Sequence, residues 1–347
     1  MTEPCAQFGD YVATDLLDVS HDPGVLDSQG WWAAVLPYDG EPIFARFGHI
    51  AAGQAQTGRW VGPEHDAWST SMSRQTYIEA VQTTREYIAA GEVYQANICR
   101  VMSAALADPS MQDITGLAAL LTRGNPSPYG GFLQLPAGCH PGVPAGGVHI
   151  ATASPELFLR RDGDVIESGP IKGTGKTSAD LAPKDSAENV MIVDLVRNDL
   201  SVVCRTGSVT VPKLLTLEEH PGLVHLVSYV RGELRQGTRW PELLDASFPP
   251  GSVTGAPKSS ALRIIDELEP ASRGPYCGAM GWVNADDRTA EMAVTIRTFW
   301  IADGAVHFGT GAGITWGSDP VREWEETELK RAKLLTVAGG IWDGGLS

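Results

Sequence analysis

Glu167-Ser168-Gly169-Pro170-Ile171-Lys172-Gly173-Thr174 is the stretch on which the reading of this 347-residue chain turns. Proline fixes φ and glycine lets the backbone pass closely, so the run reads as a turn with one amine at its tip. Upstream, Val148 to Ala153 is a predicted strand leading into Ser154-Pro155-Glu156-Leu157-Phe158-Leu159, and Asp162-Gly163 signals a hairpin turn. The return strand, Val165-Ile166-Glu167, delivers Lys172. Taken by itself, a lysine in such a turn is more often a solvated side chain than a functional one.

The rest of the chain sets bounds on what that amine can do. Apolar residues make up 43% and charged residues 20%, an ordinary globular balance, in a chain long enough for a large core. A net charge of −16 argues against nucleic-acid or anionic-membrane binding, and leaves an anionic small substrate dependent on a local basic pocket or a metal. The five cysteines are scattered with no C-x-x-C pair, so neither a disulfide framework nor a zinc site is suggested. With no secretory leader pattern and no long apolar run, the expectation is a cytoplasmic protein.

Residues 1 to 70 read as short strands and turns, including Trp31 to Leu36 and Pro42 to Phe47. Ser71 to Gly91 is a predicted helix with Ser73 as N-cap, followed by a strand over Val93 to Ile98. A short helix over Ile114 to Leu121, a strand over Gly130 to Leu135 and a Pro/Gly-rich loop over 136–147 come next. Adjacent Cys139 and His140 on that loop point apart, which discounts them as a nucleophile–base pair. Asp185 to Asn198 is a predicted helix, Val209 to Leu217 is extended, and His225 to Val230 is a strand.

The last third carries a helix over Ser260 to Leu268 and strands around Met280 to Trp282, Met292 to Phe299 and Ala305 to Phe308. A Gly-rich turn (309–313) and a helix over Asp319 to Val337 close it. This mixture argues α+β rather than a βαβ repeat. We divide the chain into a short β-rich segment, 1–70, and a catalytic region, 71–340, forming one globular unit with it.

Gly173-Thr174-Gly175-Lys176-Thr177 imitates the end of a phosphate-binding loop. The spacing fails, because the position five before Gly175 is Pro170, and the following segment is polar and contains Pro183 where a helix is required. Two other constellations carry more weight. Asp185 and Glu188 share a face at the start of one helix, and Glu323 and Glu326 repeat that spacing in the last. Each pair can simply complement a helix dipole, and together they suit a hard divalent cation. Tyr276, Arg297 and the backbone amides of 309–313 can all engage an anionic ligand.

From Ser71 to Leu335 the chain resembles the chorismate-utilising enzymes, which include anthranilate, aminodeoxychorismate, isochorismate and salicylate synthases. The motifs stand in family order: Gly91 to Asn97, Ser154-Pro155-Glu156, Pro170 to Thr174, Ala187 to Asp199, His225 to Ser228, Thr254 to Lys258, Ile264 to Pro270, Thr295 to Thr298 and Gly311 to Ile314. The resemblance implies two large, mostly antiparallel sheets packed as a sandwich, helices outside, and an active site in the cleft between them. Where the water-using members carry a base, this chain has Gln95. Where anthranilate synthases have alanine, it has Lys172, the aminodeoxychorismate synthase signature; anthranilate synthase is the alternative.

The same resemblance implies the chemistry. Mg2+ held by Glu188 and Glu326, with Asp185 and Glu323 nearby, would bind the ring carboxylate of chorismate. Tyr276, Arg297 and Gly311, Ala312 and Gly313 would hold the other carboxylate, while Thr254, Gly255, Lys258, Gln95, Gly173 and Thr174 line the pocket. Lys172 would form a covalent intermediate, Glu156 (its pKa expected to be raised by burial) would protonate the leaving hydroxyl, and His225 would assist proton transfer. Ammonia would come from a separate glutamine amidotransferase subunit, since no such module is recognisable here. The stretch before the Ser71 helix is shorter than in full-length relatives, where it completes one sheet and contains a tryptophan site.

Overall fold

Helix α1 (Arg74–Ala89) shows how local sequence builds this protein. Tyr77, Ile78, Ala80 and Val81 recur at helical spacing and are all buried, and Ser73 accepts from the Thr76 N–H at 3.1 Å as the N-cap. The computed structural model describes residues 3–108, 112–175, 183–220 and 223–342. Within them the strands begin with β1 (Cys5–Phe8), β2 (Tyr11–Ser20), β3 (Trp31–Leu36), β4 (Ile43–Ala52), β5 (Trp60–Val61) and β6 (Ser69–Thr70). After α1 come β7 (Gln95–Ala105), α2 (Ile114–Gly124), β8 (Tyr129–Leu135), β9 (Val148–Ser154), β10 (Leu157–Asp162), β11 (Val165–Gly169) and β12 (Ile171–Gly175). Then follow α3 (Pro183–Ser201), β13 (Thr210–His220), β14 (Leu223–Glu233), α4 (Trp240–Ser247), β15 (Gly255–Ala256) and α5 (Lys258–Leu268). The chain ends with β16 (Ala279–Asn284), β17 (Thr289–Val294), β18 (Thr298–Ala302), β19 (Ala305–Ile314), α6 (Pro320–Ala338) and β20 (Ile341–Trp342).

Every strand pairing among the described residues is antiparallel, and β20 pairs only with β5. One half of the main sheet runs β13, β14, β11, β10, β17, β16, β3, β4, β2, with β12 also on β14. The other runs β8, β9, β18, β19, β7, with β6 and β15 on β7. Strand β1 pairs with both β2 and β8, so the two expected sheets are halves of one continuous ladder. Those halves share a core: Leu133, Leu135 and Ile150 cluster with Ala33, Val35, Met280 and Met292. Alternation along the strands sends Phe132, Ala151, Phe299 and Phe308 the other way, beneath α2 and α6. Helix α3 lays Ile192, Val193, Val196 and Leu200 into the first core beside Ile166 and Val230.

Three local expectations are corrected. Pro170 to Thr174 is not a turn, because Ile171 to Gly175 pairs with β14 as a strand. The Gly-rich turn at 309–313 is the continuation of β19, whose ladder with β7 runs unbroken from Ala305 to Ile314. Glycine's backbone permits either conformation, and ten consecutive partners on β7 select the extended one. Finally, Met292 to Phe299 is two strands, and Arg297 sits in the break between them with φ +53°. Helix α4 had no counterpart in the sequence reading. No helix among the described residues is long and apolar enough to cross a membrane.

Candidate active site

Lys172 sits in a β-bulge. Ile171 pairs with Val227 and Thr174 with His225, so Lys172 and Gly173 together oppose one residue of β14. Gly173 has φ +82°, a conformation that a side chain would strain, and this local kink sets the direction in which Lys172 leaves the sheet. The amine is half-buried and donates to the Ser252 carbonyl at 3.2 Å. His225, on the partner strand, is buried. The side chains of Thr174 and Asp185, and the whole of the Lys176-Thr177 pair, lie outside the described residues.

Glu156 occupies the corner between β9 and β10. Its carbonyl accepts from Val294 N–H at 3.0 Å, and Ser154 ties the same corner to β17 by donating to Val294 O at 2.6 Å. The side chain is 4% exposed. Burial raises its pKa to about 7, against the opposing effects of Ser252, Lys172, the Ile171 backbone N–H and Arg297. Burial likewise lowers the Arg297 pKa, and Glu156 opposes that shift. A buried carboxyl that is substantially protonated at neutral pH, next to an amine, can donate a proton to a leaving group.

Gln95 opens β7 and is fully buried, and among the described residues neither Oε1 nor Nε2 has a partner. Gly255, φ +141°, pairs with Ala96, and a Cβ there would collide with the Gln95 carbonyl. Across the strand, a Cβ on Gly313 would collide with Gln95 Nε2 and lie 3.4 Å from Lys172 Nζ. Backbone therefore excludes a side chain at Gly255, whereas one at Gly313 would have to displace the Gln95 amide. Thr254 is buried and donates within its own loop, to Pro250 O at 3.1 Å. Lys258, expected at the pocket, commits its amine to Asp199 at 2.8 Å and to Ser247 O at 3.3 Å. Asp199 and Ser247 line a cavity that also reaches Glu156, Ser168, Pro170 and Ser252.

Tyr276 is buried, with its phenol pKa raised by that burial, and its ring packs where a Gly309 side chain would stand. Cys99 Sγ lies 2.5 Å from the place a Gly311 Cβ would take. The β18 pairing of β19 stops at Phe308, and Gly309 to Ile314 continue as a strand on β7 instead of forming a nest. Gly311 O accepts from Lys330 at 3.0 Å, and Lys330 also pairs with Glu326 at 2.7 Å.

The four helix carboxylates divide unevenly. Glu188 is half-buried on α3, beside a fully buried Asn189 that donates to Leu226 O at 3.1 Å and accepts from Ser228 at 2.5 Å. That clip sets the rotation of α3 against β14. Glu323, on the first turn of α6, is buried, and both Glu323 and Glu326 raise the pKa of the deeply buried Tyr77, after burial itself. Among the described residues no group of three His, Cys, Asp or Glu side chains is assembled that could hold a metal unaided.

Sequence reasoning missed Ser252, whose carbonyl holds the amine, and the Glu269–Arg273 pair. Arg273 is 1% exposed and contacts Glu269 at 2.6 and 2.8 Å, Val253 O at 3.0 Å and Asn97 O at 2.7 Å. Glu269 lies in the motif read over Ile264 to Pro270, but its partner four residues on carried no local signal. Cys139 and His140 form no bond to each other; His140 accepts from Gly142 N–H.

Residues 54–336 match the family described as chorismate binding enzyme. Anthranilate synthase component 1 of Streptomyces coelicolor is 39% identical over 282 residues, covering 78% of this chain and 52% of that protein. Anthranilate synthase component 1 of Thermus thermophilus is 37% identical over 346 residues, covering 95% and 68%. Aminodeoxychorismate synthase component 1 of Escherichia coli is 36% identical over 280 residues, covering 77% and 58%. The chain thus spans about half the length of several curated relatives it matches. Among solved structures, a 2,3-dihydroxybenzoate-specific isochorismate synthase from Bacillus anthracis shares the fold, with TM-score 0.79 at 22% identity over 97% of this chain and 96% of that one.

Proposed function

The chain belongs to the chorismate-binding enzymes, and from that premise we propose that it acts as aminodeoxychorismate synthase component I, converting chorismate and ammonia to 4-amino-4-deoxychorismate for p-aminobenzoate synthesis. The observation that carries this reading is the Lys172 amine set in a bulge close to the buried Glu156 carboxyl, whose pKa its charge lowers. An acid and an amine in one dry site suit allylic substitution better than hydration. Gln95 supplies no base to activate water, which argues against an isochorismate-forming reaction.

In this mechanism Tyr276, Arg297 and the open edge of Gly311 to Gly313 bind a substrate carboxylate. The Lys172 lone pair forms a bond to C2, the double bond shifts, and the C4–O bond breaks as Glu156 gives its proton to the departing hydroxyl, which leaves as water. Ammonia then bonds to C4 while the C2–N bond breaks and Lys172 is released. Glu156, now a carboxylate, takes up the proton lost by the added nitrogen, with His225 as a relay. A glutamine amidotransferase subunit would supply the ammonia.

Magnesium fits the donor set, since Glu188 and Glu326 are hard oxygen ligands and the buried Glu323 adds a third carboxylate on the same helix as Glu326. When bound by them it would neutralise a substrate carboxylate and draw electron density from the ring. A second reading, anthranilate synthase, is favoured by the 39% identity to the Streptomyces enzyme against 36% for the aminodeoxychorismate synthase. Incubation with chorismate, ammonium and magnesium separates them. The expected product has the mass of 4-amino-4-deoxychorismate and is converted by a lyase to p-aminobenzoate. Fluorescent anthranilate would select the second reading, and isochorismate or salicylate would overturn both.

A further inference from the structure

We infer that Gln95 is a positioning residue for the nucleophilic amine, its side-chain amide held without a partner so that it can accept an N–H of Lys172 as that amine turns toward substrate. The inference rests on the reading of Lys172 as nucleophile. Its starting point is an anomaly: Gln95 is 0% exposed, and among the described residues neither end of its amide finds a partner. A buried polar group left unsatisfied loses its hydration without recompense, and folded proteins almost always avoid it. An amide that bears this cost on both ends, inside an active site, is poised for a ligand or a moving neighbour.

The neighbour is identified by what surrounds Gly313. The Gln95 amide and the Lys172 amine both approach β19 where Gly313 lacks a side chain, with Nε2 against that position and Nζ 3.4 Å from it. A half-turn of the amide exchanges oxygen and nitrogen at nearly the same place, so an acceptor is available there as readily as a donor. Among the described residues Lys172 has a single hydrogen-bond acceptor, Ser252 O at 3.2 Å. A neutral amine has two N–H bonds and one lone pair. With one N–H on Ser252 O and the other on Gln95 Oε1, the lone pair has a single remaining direction, the condition for attack on a carbon. Ser252 by itself leaves the amine free to rotate about that one bond. Glutamine also serves better than a charged group here: it accepts an N–H without drawing a proton onto the amine.

The variant Gln95→Met keeps length and volume and removes both hydrogen-bonding ends. In the full chain we expect it to melt at the same temperature as wild type or about 1–3 °C higher, because an unpaired buried amide has been removed. We expect calorimetric binding of chorismate to stay within about threefold. The Lys172–substrate adduct, followed by rapid quench and intact mass, should form about 10- to 100-fold more slowly, the loss of one hydrogen bond to the reacting group. A merely structural glutamine would instead lower the melting temperature and weaken binding and adduct formation together. Either that pattern, or adduct formation at the wild-type rate, overturns the inference while leaving Lys172 as nucleophile. A wild-type enzyme that forms no adduct at all overturns both.

Discussion

Two buried glutamates next to arginines have been put to opposite uses in this molecule. Glu269 is closed: both its oxygens contact Arg273, the Cys99 N–H adds a third bond at 2.7 Å, and Arg273 is itself capped by two carbonyls and the Tyr38 ring at 4.4 Å. Glu156 is just as buried, with Lys172 and Arg297 near enough to lower its pKa, yet among the described residues no cation lies within ion-pair distance of it. Burial raises the pKa of both carboxyls. Glu156 is hydrogen-bonded by Ser252 and the Ile171 N–H but, among the described residues, has no such ion pair, and in the proposed mechanism it is the one that trades a proton. Burial with full pairing makes scaffold, and burial with incomplete pairing makes an acid.

The comparison predicts where mutations act. Lys172→Ala should lower turnover by at least about a thousandfold while leaving the melting temperature within about 2 °C, because in the proposed mechanism the half-buried amine reacts and does not hold the fold. Circular-dichroism melting beside steady-state ammonia-dependent rates would check both halves, and retention of full activity would end the covalent proposal. Arg273→Met should do the reverse. Stranding Glu269 without its partner should cost about 3–5 kcal/mol of folding free energy by urea titration.

Glu156→Gln should lower kcat about 100- to 1000-fold with little change in melting at pH 5. Its sign with pH is definite. The folded-state pKa of Glu156 is raised above its unfolded value, so the stability it contributes is complete below about 4.5 and is lost as pH rises through about 7. At pH 8 the glutamine variant should therefore be more stable than wild type, by about 3 kcal/mol. In the proposed mechanism the acid form is also the catalytic one, so wild-type kcat should fall as pH rises through about 7, and the variant should lack that limb. The smallest effect belongs to the clip beside Glu188: Ser228→Ala, which removes a bond to the buried Asn189, should cost about 1–2 kcal/mol, measured by the same titration.

Much of this was legible in the residues. The helix over Arg74–Ala89 announced its period and its cap, α6 begins at Asp319 where the side chain accepts from Val321 and Arg322 N–H, and the Trp31–Leu36 strand has the predicted bounds. Such features depend on neighbours within one helical turn or one strand, where propensity and capping act. Glu156, Lys172 and the four helix carboxylates lie in contiguous motifs, and the roles proposed for them are those the family resemblance implies.

The errors have a common origin in partners distant along the chain. Pro170 to Thr174 looked like a turn, and β14, more than fifty residues on, makes it a bulged strand. Glycines 309 to 313 looked like a turn, and β7, two hundred residues earlier, makes them a strand edge. Lys258, read as lining the pocket, gives its amine to Asp199, itself a cavity-lining residue, and Arg297 left its strand because the ladder there ends. By itself the sequence determined which chemical groups this protein owns and in which local elements they sit. Only the tertiary structure decided which of them are paired and which stay open, because pairing in a low-dielectric interior is set by contacts across strands that no local pattern encodes.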